Sequence, residues 1–570
     1  MYITKKLIAT ALMAGVVISA GAVIAKRGVR TVTQPDGTTL RIQKTGDEHR
    51  HLTLTEDGIV LYERDGEFTY AVPGETGQPV STGVKARNVE VRTVADRAVA
   101  VTLDDFVERA AALSATAVPL TRKVAQSGMG LCDNTYPVRG NVRSLVILVE
   151  YADVKFTLDN PGQYFTDMLT KPGFDEYGGT GSALDYFTEN SAGLFTPQFD
   201  VYGPIKLKHE RKYYGGNSPW TGEDMRPEEM IIEACEQLDS IVDFSLYDTN
   251  GDRLIDNIFV FYAGQGEASY GPAESVWPHS WDVRGTGTTY KFDGVTLATY
   301  GCTNEWELNR PDGVGTFVHE FSHVMGLPDL YDTNGILTCT PGAWSALDYG
   351  PYNNDGCTPP NYGAYERNAL GWIEPLMLDG EMDVTLPEIS QNVFGLMTTD
   401  KETEFYLFEN RQQIGWDKYL PGHGMLIWHV DYSSPRVFAN NEVNNSRNHQ
   451  YVDIVEANGA ANSNSLYSQS RYTFPGPLNK TSISGTTTPA LKSWAGKPLD
   501  LSVTDIAENA GLITFRVKAE DSGVDDVAID EAGEGEAIYY NLQGIRVENP
   551  KSGDFLIRVC GNKTSKVSVK

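Results

Sequence analysis

Beyond residue 26 the chain alternates apolar and polar residues in short runs broken by turn residues. Thr31-Val32-Thr33 and Thr39-Leu40-Arg41-Ile42 flank Pro35-Asp36-Gly37, and Ile59-Val60-Leu61-Tyr62 and Phe68-Thr69-Tyr70 flank Asp65-Gly66. A period of two punctuated in this way predicts antiparallel strands. From Asp104 to Ala115 the period lengthens to that of an amphipathic helix. Val142 to Tyr151 is a continuous apolar run, as expected of a strand buried on both faces. Helices are expected from Gly181 through Phe187 and from Pro227 to Leu238, each with acidic residues in its first turn. Past Pro375 the pattern returns to strands, at Phe405–Glu409, Gly424–Asp431, Tyr451–Val455 and Leu512–Val517, which predicts a β-sandwich. Residues 520–537 are acidic and rich in Gly and Ala, with no period that would build a core. Short strands resume from Ile538.

One apolar helical stretch carries chemistry. Phe317, Val318, Phe321, Val324 and Met325 read as core-facing, and among them lies His319-Glu320-Phe321-Ser322-His323, continued to Gly326 and Asp329. Residues four apart share a helix face, so His319 and His323 can place two imidazole nitrogens on one metal. Glu320, one residue along, reaches a water rather than the metal itself. Gly326 can end the helix in a left-handed conformation, Pro328 prevents its resumption, and the returning chain can deliver Asp329 as third ligand. Glu366 is the fallback for that place. The ligand set predicts zinc, and the mechanism it predicts is peptide hydrolysis by a metal-activated water with Glu320 as general base.

A second oxygen-rich segment is Asp248-Thr249-Asn250-Gly251-Asp252-Arg253-Leu254-Ile255-Asp256. Side-chain oxygens alternate at Asp248, Asn250 and Asp252, and the Leu254 carbonyl and Asp256 follow. The spacing predicts a calcium loop, although the twelfth-position glutamate of an EF-hand is missing.

Bulk properties narrow the field. At 570 residues, several domains are expected. The formal net charge of −29 argues against nucleic acid and anionic membrane surfaces as partners. Lys5 and Lys6 precede an apolar stretch from Leu7 to about Ala20, followed by Ala20-Gly21-Ala22 as a cleavage site, with Ala25 as an alternative. This is the pattern of a secretory signal. No later segment is apolar enough to span a bilayer, which predicts a secreted protein without a transmembrane anchor. The six cysteines permit disulfides, and a staple between Cys339 and Cys357 would close the loop after the metal motif.

These motifs resemble the secreted metallopeptidases of the immune inhibitor A type. The likeness runs through Thr33-Gln34-Pro35-Asp36-Gly37-Thr38, Gly46-Asp47-Glu48-His49 and Thr55-Glu56-Asp57-Gly58. It continues through Ser182-Ala183-Leu184-Asp185-Tyr186-Phe187, Trp277-Pro278-His279, the zinc motif and Pro359-Pro360-Asn361-Tyr362-Gly363, and reaches Glu409-Asn410-Arg411-Gln412. The resemblance implies a zinc endopeptidase made as a precursor with an inhibitory pro-domain and acting on protein substrates. The last residues resemble a sorting domain of type-nine secretion, which implies a cell-surface association. Related enzymes place a methionine turn under the metal; the matching stretch here is Trp344 to Gly350, with Leu347 in the methionine's place. Tyr349, two residues on, stands where some of them hold a transition-state tyrosine. His279 either lines the cleft or is a buried structural histidine.

The expected fold class is multidomain α+β: a zincin/metzincin-like catalytic domain, with a mixed sheet and an active-site helix, followed by a β-sandwich-like domain. The expected divisions are 1–25 signal peptide, 26–125 pro-domain, 126–376 catalytic domain, 377–519 β-sandwich, 520–537 linker and 538–570 sorting-like domain. Thr116 to Gly130 is the expected processing region. The rival function is a surface binding or adhesion protein on an inactive protease fold.

Overall fold

A computed structural model describes residues 21–48, 51–74, 77–114, 130–132, 136–218, 222–334, 339–446, 448–459, 465–520, 537–541, 545–560 and 563–569. Residues 1–20 of the expected signal, nearly all of the expected processing region and residues 521–536 of the linker lie outside it.

The first unit is a meander of six antiparallel strands in sequence order, from Arg30–Thr33 to Pro79–Lys85, followed by helices Val94–Val99 and Leu103–Ser114. The alternation seen in the sequence divides its apolar residues between two cores. Leu40, Ile42, Leu61 and Tyr70 lie in one, and Leu52, Leu54, Val60 and Phe106 in the other. Asp65 and Gly66 both take positive φ, as a tight two-residue hairpin turn demands.

The second unit is built on a mixed sheet. Its strands run in the order Gly21–Ala22, His279–Asp282, Thr299–Glu307, Ile258–Gln265, Arg143–Glu150 and Gln198–Lys206. The four from Thr299–Glu307 to Gln198–Lys206 are parallel, and His279–Asp282 is antiparallel to its neighbour. Arg143–Glu150 is the continuous apolar run, and its side chains alternate between two cores. Leu145, Ile147 and Val149 face the core shared with helix Pro227–Leu238, while Val146 and Leu148 face the core holding helix Val314–Val324. Each such buried aliphatic side chain contributes roughly 1.5–3 kcal/mol relative to exposure, so helix Val314–Val324 rests on a firm floor.

The third unit packs a five-stranded sheet against a three-stranded one. The larger is ordered Leu376–Met377, Gly395–Thr398, Glu404–Arg411, Gly424–Asp431 and Val452–Ile454; the smaller is Met382–Leu386, Leu512–Ala519 and Leu501–Asn509. All residues of Glu404–Arg411 and of Gly424–Asp431 are buried. Tyr406, Phe408, Met425 and Ile427 face the small sheet, whereas Leu407, Leu426, Trp428 and Val430 join the core of the metal-motif helix. The core therefore does not stop at residue 376. A buried polar cluster crosses the same seam: Arg411 pairs with Glu409 and Asp417 and donates to the Asn361 carbonyl at 3.1 Å. A final four-stranded sheet comprises Ile538–Tyr540, Arg546–Val547, Phe555–Cys560 and Lys563–Ser568. The molecule is thus a mixed α+β protein of several units with further β-sheets beyond the metal-motif domain.

Among the described cysteines, Cys132, Cys235, Cys302, Cys339 and Cys357 are buried and not joined in disulfides. This corrects the expected Cys339–Cys357 staple. Cys339 turns instead to the third unit, its Sγ 3.1 Å from the Tyr472 hydroxyl and 3.5 Å from Glu456 Oε1.

Candidate metal centre

Helix Val314–Val324 ends as its sequence anticipates. Gly326 takes φ +91°, its N–H bonds to the His323 carbonyl, and the Leu327 N–H reaches the Ser322 carbonyl at 3.0 Å. These two bonds close the C-terminus in a Schellman turn and reverse the chain, so that Asp329 returns to the face carrying the histidines.

There the three ligand groups meet. His319 Nε2 and His323 Nε2 lie 3.2 Å apart, and Asp329 Oδ1 is 3.3 Å from the first and 3.2 Å from the second. Ligand atoms at 2.0–2.1 Å from a tetrahedral zinc are about 3.3 Å apart, so the triangle has the right size. Both Nδ1 atoms are engaged elsewhere: His319 Nδ1 donates to the Ala346 carbonyl and His323 Nδ1 to the Leu327 carbonyl, each at 2.8 Å. Those bonds fix the tautomers and leave both Nε2 lone pairs for a metal. Asp329 Oδ1 is buried without a hydrogen-bond partner among the described residues, as an atom reserved for a cation would be. These three residues are the one His, Cys, Asp and Glu cluster of metal-binding dimensions among the described residues.

Asn441, from the third unit, holds the third ligand. The Asp329 N–H donates to Asn441 Oδ1 at 2.7 Å, and Asn441 Nδ2 donates to Asp329 Oδ2 at 2.6 Å. Burial opposes the Asp329 charge, but the His323 and His319 imidazoles outweigh it and hold the carboxyl below the ordinary carboxylate range. Burial likewise opposes a charge on His323, and Asp329 overcomes it. Ala346, the carbonyl under His319, belongs to the turn expected beneath the metal, in which Leu347 is fully buried in the methionine's place.

Glu320 is fully buried. Burial, then the Asp329 charge, push its pKa well above the ordinary carboxylate range. Its Oε1 accepts from the Val23 N–H at 2.9 Å. That contact belongs to an N-terminal segment lying along the site. Gly21–Ala22 adds as an antiparallel strand to His279–Asp282, pairing Gly21 with Ser280 and Ala22 with His279. Trp277 Nε1 donates to the Val23 carbonyl at 2.9 Å, and the Tyr352 hydroxyl to the Ile24 carbonyl at 2.7 Å. The Tyr349 hydroxyl accepts from the Arg27 N–H at 3.2 Å, and the Arg27 guanidinium lies over its ring. The first unit is anchored nearby by Lys44 and His51, both paired with the buried Glu267.

The other candidates lie elsewhere. Glu366 accepts from Ser345 Oγ at 2.8 Å and is not in the metal cluster. His279 is a buried sheet residue bonded to the Trp277 carbonyl and the Tyr300 hydroxyl. In the oxygen-rich loop, Asp248 accepts the N–H groups of Gly251, Asp252 and Arg253. Asn250 Oδ1 accepts from Asp252, Asp252 Oδ1 from the Leu254 N–H, and Asp256 accepts from Thr249. The oxygens expected to face calcium thus cap the loop's own backbone, and the three aspartates do not converge.

Neither Asn441 nor Val23 was anticipated. Asn441 lies 112 residues from Asp329 in sequence and Val23 lies 297 from Glu320. Nothing local marks either one.

Residues 138–372 match the family model described as the immune inhibitor A peptidase M6 catalytic domain. Immune inhibitor A of Bacillus thuringiensis subsp. alesti is 29% identical over 307 residues, covering 44% of this chain and 44% of that protein. The pre-pro-metalloprotease PrtV of Vibrio cholerae serotype O1 is 26% identical over 260 residues, covering 39% of this chain and 28% of that protein. A putative secreted metallopeptidase of Arthroderma benhamiae is 25% identical over 305 residues, covering 43% of this chain and 41% of that one. The chain therefore spans less than half the length of each of these relatives.

Proposed function

We propose, from the match of residues 138–372 to the M6 peptidase catalytic-domain model, that the whole chain is an exported zinc endopeptidase made as a latent precursor. The observation that carries the proposal is the three-atom triangle of His319, His323 and Asp329 beside a buried Glu320.

His319, His323 and Asp329 would hold zinc, which when bound would supply a Lewis acid for the scissile carbonyl and lower the pKa of water toward neutrality. The chain does the rest. Glu320 takes the proton of the attacking water on a carboxylate oxygen and passes it to the leaving amine. Asn441 and the Ala346 and Leu327 carbonyls keep the ligands oriented. Tyr349 is assigned to hydrogen-bonding the substrate backbone; its hydroxyl already does this to Arg27. Latency is assigned to the segment retained after leader removal at Ala22, which begins at Val23 and engages Glu320 through the Val23 nitrogen.

Export is supported by the basic and apolar N-terminus, and by relatives whose names include "pre-pro" and "secreted". Among the described residues no helix is long and apolar enough to cross a membrane. The sheet from Ile538 is assigned to sorting in this reading.

The test is casein cleavage by the matured protein, with and without a zinc chelator, beside Glu320→Gln. Chelator-sensitive cleavage is expected, lost in the variant while zinc stays bound. Full activity in Glu320→Gln, or no cleavage by the zinc-loaded matured protein, would refute the proposal and favour a binding role.

A further inference from the structure

Beyond Val23, the N-terminal segment makes one contact that latency alone does not require. The Lys26 side chain is buried, and its Nζ pairs with Glu307. It also lies 5.5 Å from the Tyr352 ring centre, at cation–π distance, and 4.0 Å from the exposed Asp355. Glu307 closes strand Thr299–Glu307, and Asp312 follows just before helix Val314–Val324. Both carboxylates are buried.

The pocket is built for more charge than Lys26 satisfies. Glu307 Oε2 is buried with no hydrogen-bond partner among the described residues, although Oε1 holds the lysine. Asp312, raised by burial and by the Glu307 charge, adds a second carboxyl whose Oδ1 accepts from the Gly313 N–H at 2.9 Å. Gly356, at φ +90°, packs against both carboxylates: a Cβ there would stand 3.8 Å from Glu307 Oε2 and 3.2 Å from Asp312 Oδ1. Two buried carboxylates close to one another are unfavourable without a cation.

Position along the cleft links this pocket to substrate. From Val23 to Lys26 an extended chain advances about 10 Å. From Glu320 back to Val314 the helix spans about 9 Å, and Asp312 lies two residues before its start. The segment therefore runs along the active-site helix, with one backbone amide on the general base and the side chain three residues later in the acidic pocket.

We infer that Glu307 and Asp312 form a specificity subsite for a lysine or arginine side chain of the peptide substrate, which Lys26 fills as a substrate mimic in the precursor. The inference rests on the endopeptidase reading above and deepens it.

The experiment uses the full chain matured by limited proteolysis. Fluorogenic peptides differing only at one position, with lysine, norleucine or glutamate, are scanned through the sites flanking the cleaved bond. In parallel, a synthetic peptide of residues 23–30 is titrated against the protein, with lysine or norleucine at position 26. At one fixed position lysine is expected to exceed norleucine by about 30-fold in kcat/KM, with glutamate cleaved least, and the synthetic peptide to lose a similar factor in affinity with norleucine. Glu307→Gln is expected to bring the lysine-to-norleucine ratio within about threefold. Should that variant fail to fold, the peptide series on the unaltered protein still decides. Cleavage indifferent to the side chain at every position, with equal binding of both synthetic peptides, overturns the subsite and leaves the peptidase reading standing. Lysine-dependent binding without any turnover upholds the subsite and refutes the peptidase reading.

Discussion

Asn441→Gly tests whether the third metal ligand is held from outside the matched catalytic domain. Asn441 takes φ +57°, so glycine keeps the backbone unstrained while removing the side chain. Two hydrogen bonds are lost, at 2.7 Å to the Asp329 N–H and at 2.6 Å to its Oδ2. The second is charge-assisted, and bonds of that kind contribute about 1.5–3 kcal/mol. Part of that loss is recovered as the freed carboxylate relaxes, so the expected effect on zinc is about 1.4–2.7 kcal/mol, or 10–100-fold in affinity. Competition for zinc with a chelator of known affinity measures it. Asn440→Gly, at the neighbouring residue, controls for added backbone freedom. Activity of the Asn441→Gly protein should return toward normal as free zinc is raised, because Glu320 and both histidines are untouched. Zinc affinity within threefold of the unaltered protein would refute the argument that Asn441 orients Asp329.

Gly326→Ala puts a side chain at φ +91°, which costs about 1–2 kcal/mol. It should lower the melting temperature and weaken zinc together; a change in neither would show that the turn tolerates alanine. Burial raises Glu366 to about 7, against an ordinary glutamate near 4.3 in the unfolded chain. The folded state thus holds the proton more tightly. Its stability is greatest below the unfolded value and falls as pH rises toward 7. Glu366→Gln should flatten the decline in melting temperature between pH 5 and 7, and parallel curves for the two proteins would refute this. A fragment of residues 126–376 should be poorly soluble and bind zinc weakly. It exposes the core surface covered by Leu407, Leu426 and Trp428 and lacks Asn441; a soluble fragment of native zinc affinity would contradict the shared core.

Much of the geometry of the candidate metal centre could be read from the sequence because its logic is local. A spacing of four residues puts His319 and His323 on one helix face, Gly326 stops that helix, and Asp329 follows within one turn of chain. The same local logic does not decide the segment from Asp248 to Asp256. Alternating oxygen side chains serve a cation or a self-capping turn equally well, and the choice depends on where the N–H groups of Gly251 to Leu254 point. What escaped entirely came from afar. Asn441 sits on a helix-to-strand connection of another unit. Val23 and Lys26 were read within or beside a leader sequence, since a short apolar and basic stretch has that meaning when nothing is known of what it touches. The seam at residue 376 was hidden for a related reason: a strand buried on both faces reads the same whether its second neighbour is a sheet or a catalytic helix.

The distance of 297 residues between Val23 and Glu320 also fixes an order in time. Chains are made from the N-terminus, so the residues that cover the general base exist long before the helix that carries it. When His319, Glu320 and His323 first fold into place, their stopper is already attached to the same molecule and present at high effective concentration. On the proposed latency, with the leader removed after Ala22, the retained segment from Val23 is present whenever the cleft is complete. A pro-segment placed after the catalytic domain would leave a newly made active site open until the rest of the chain arrived. Placed before it, as proposed for the segment from Val23, such a stopper would be present throughout assembly.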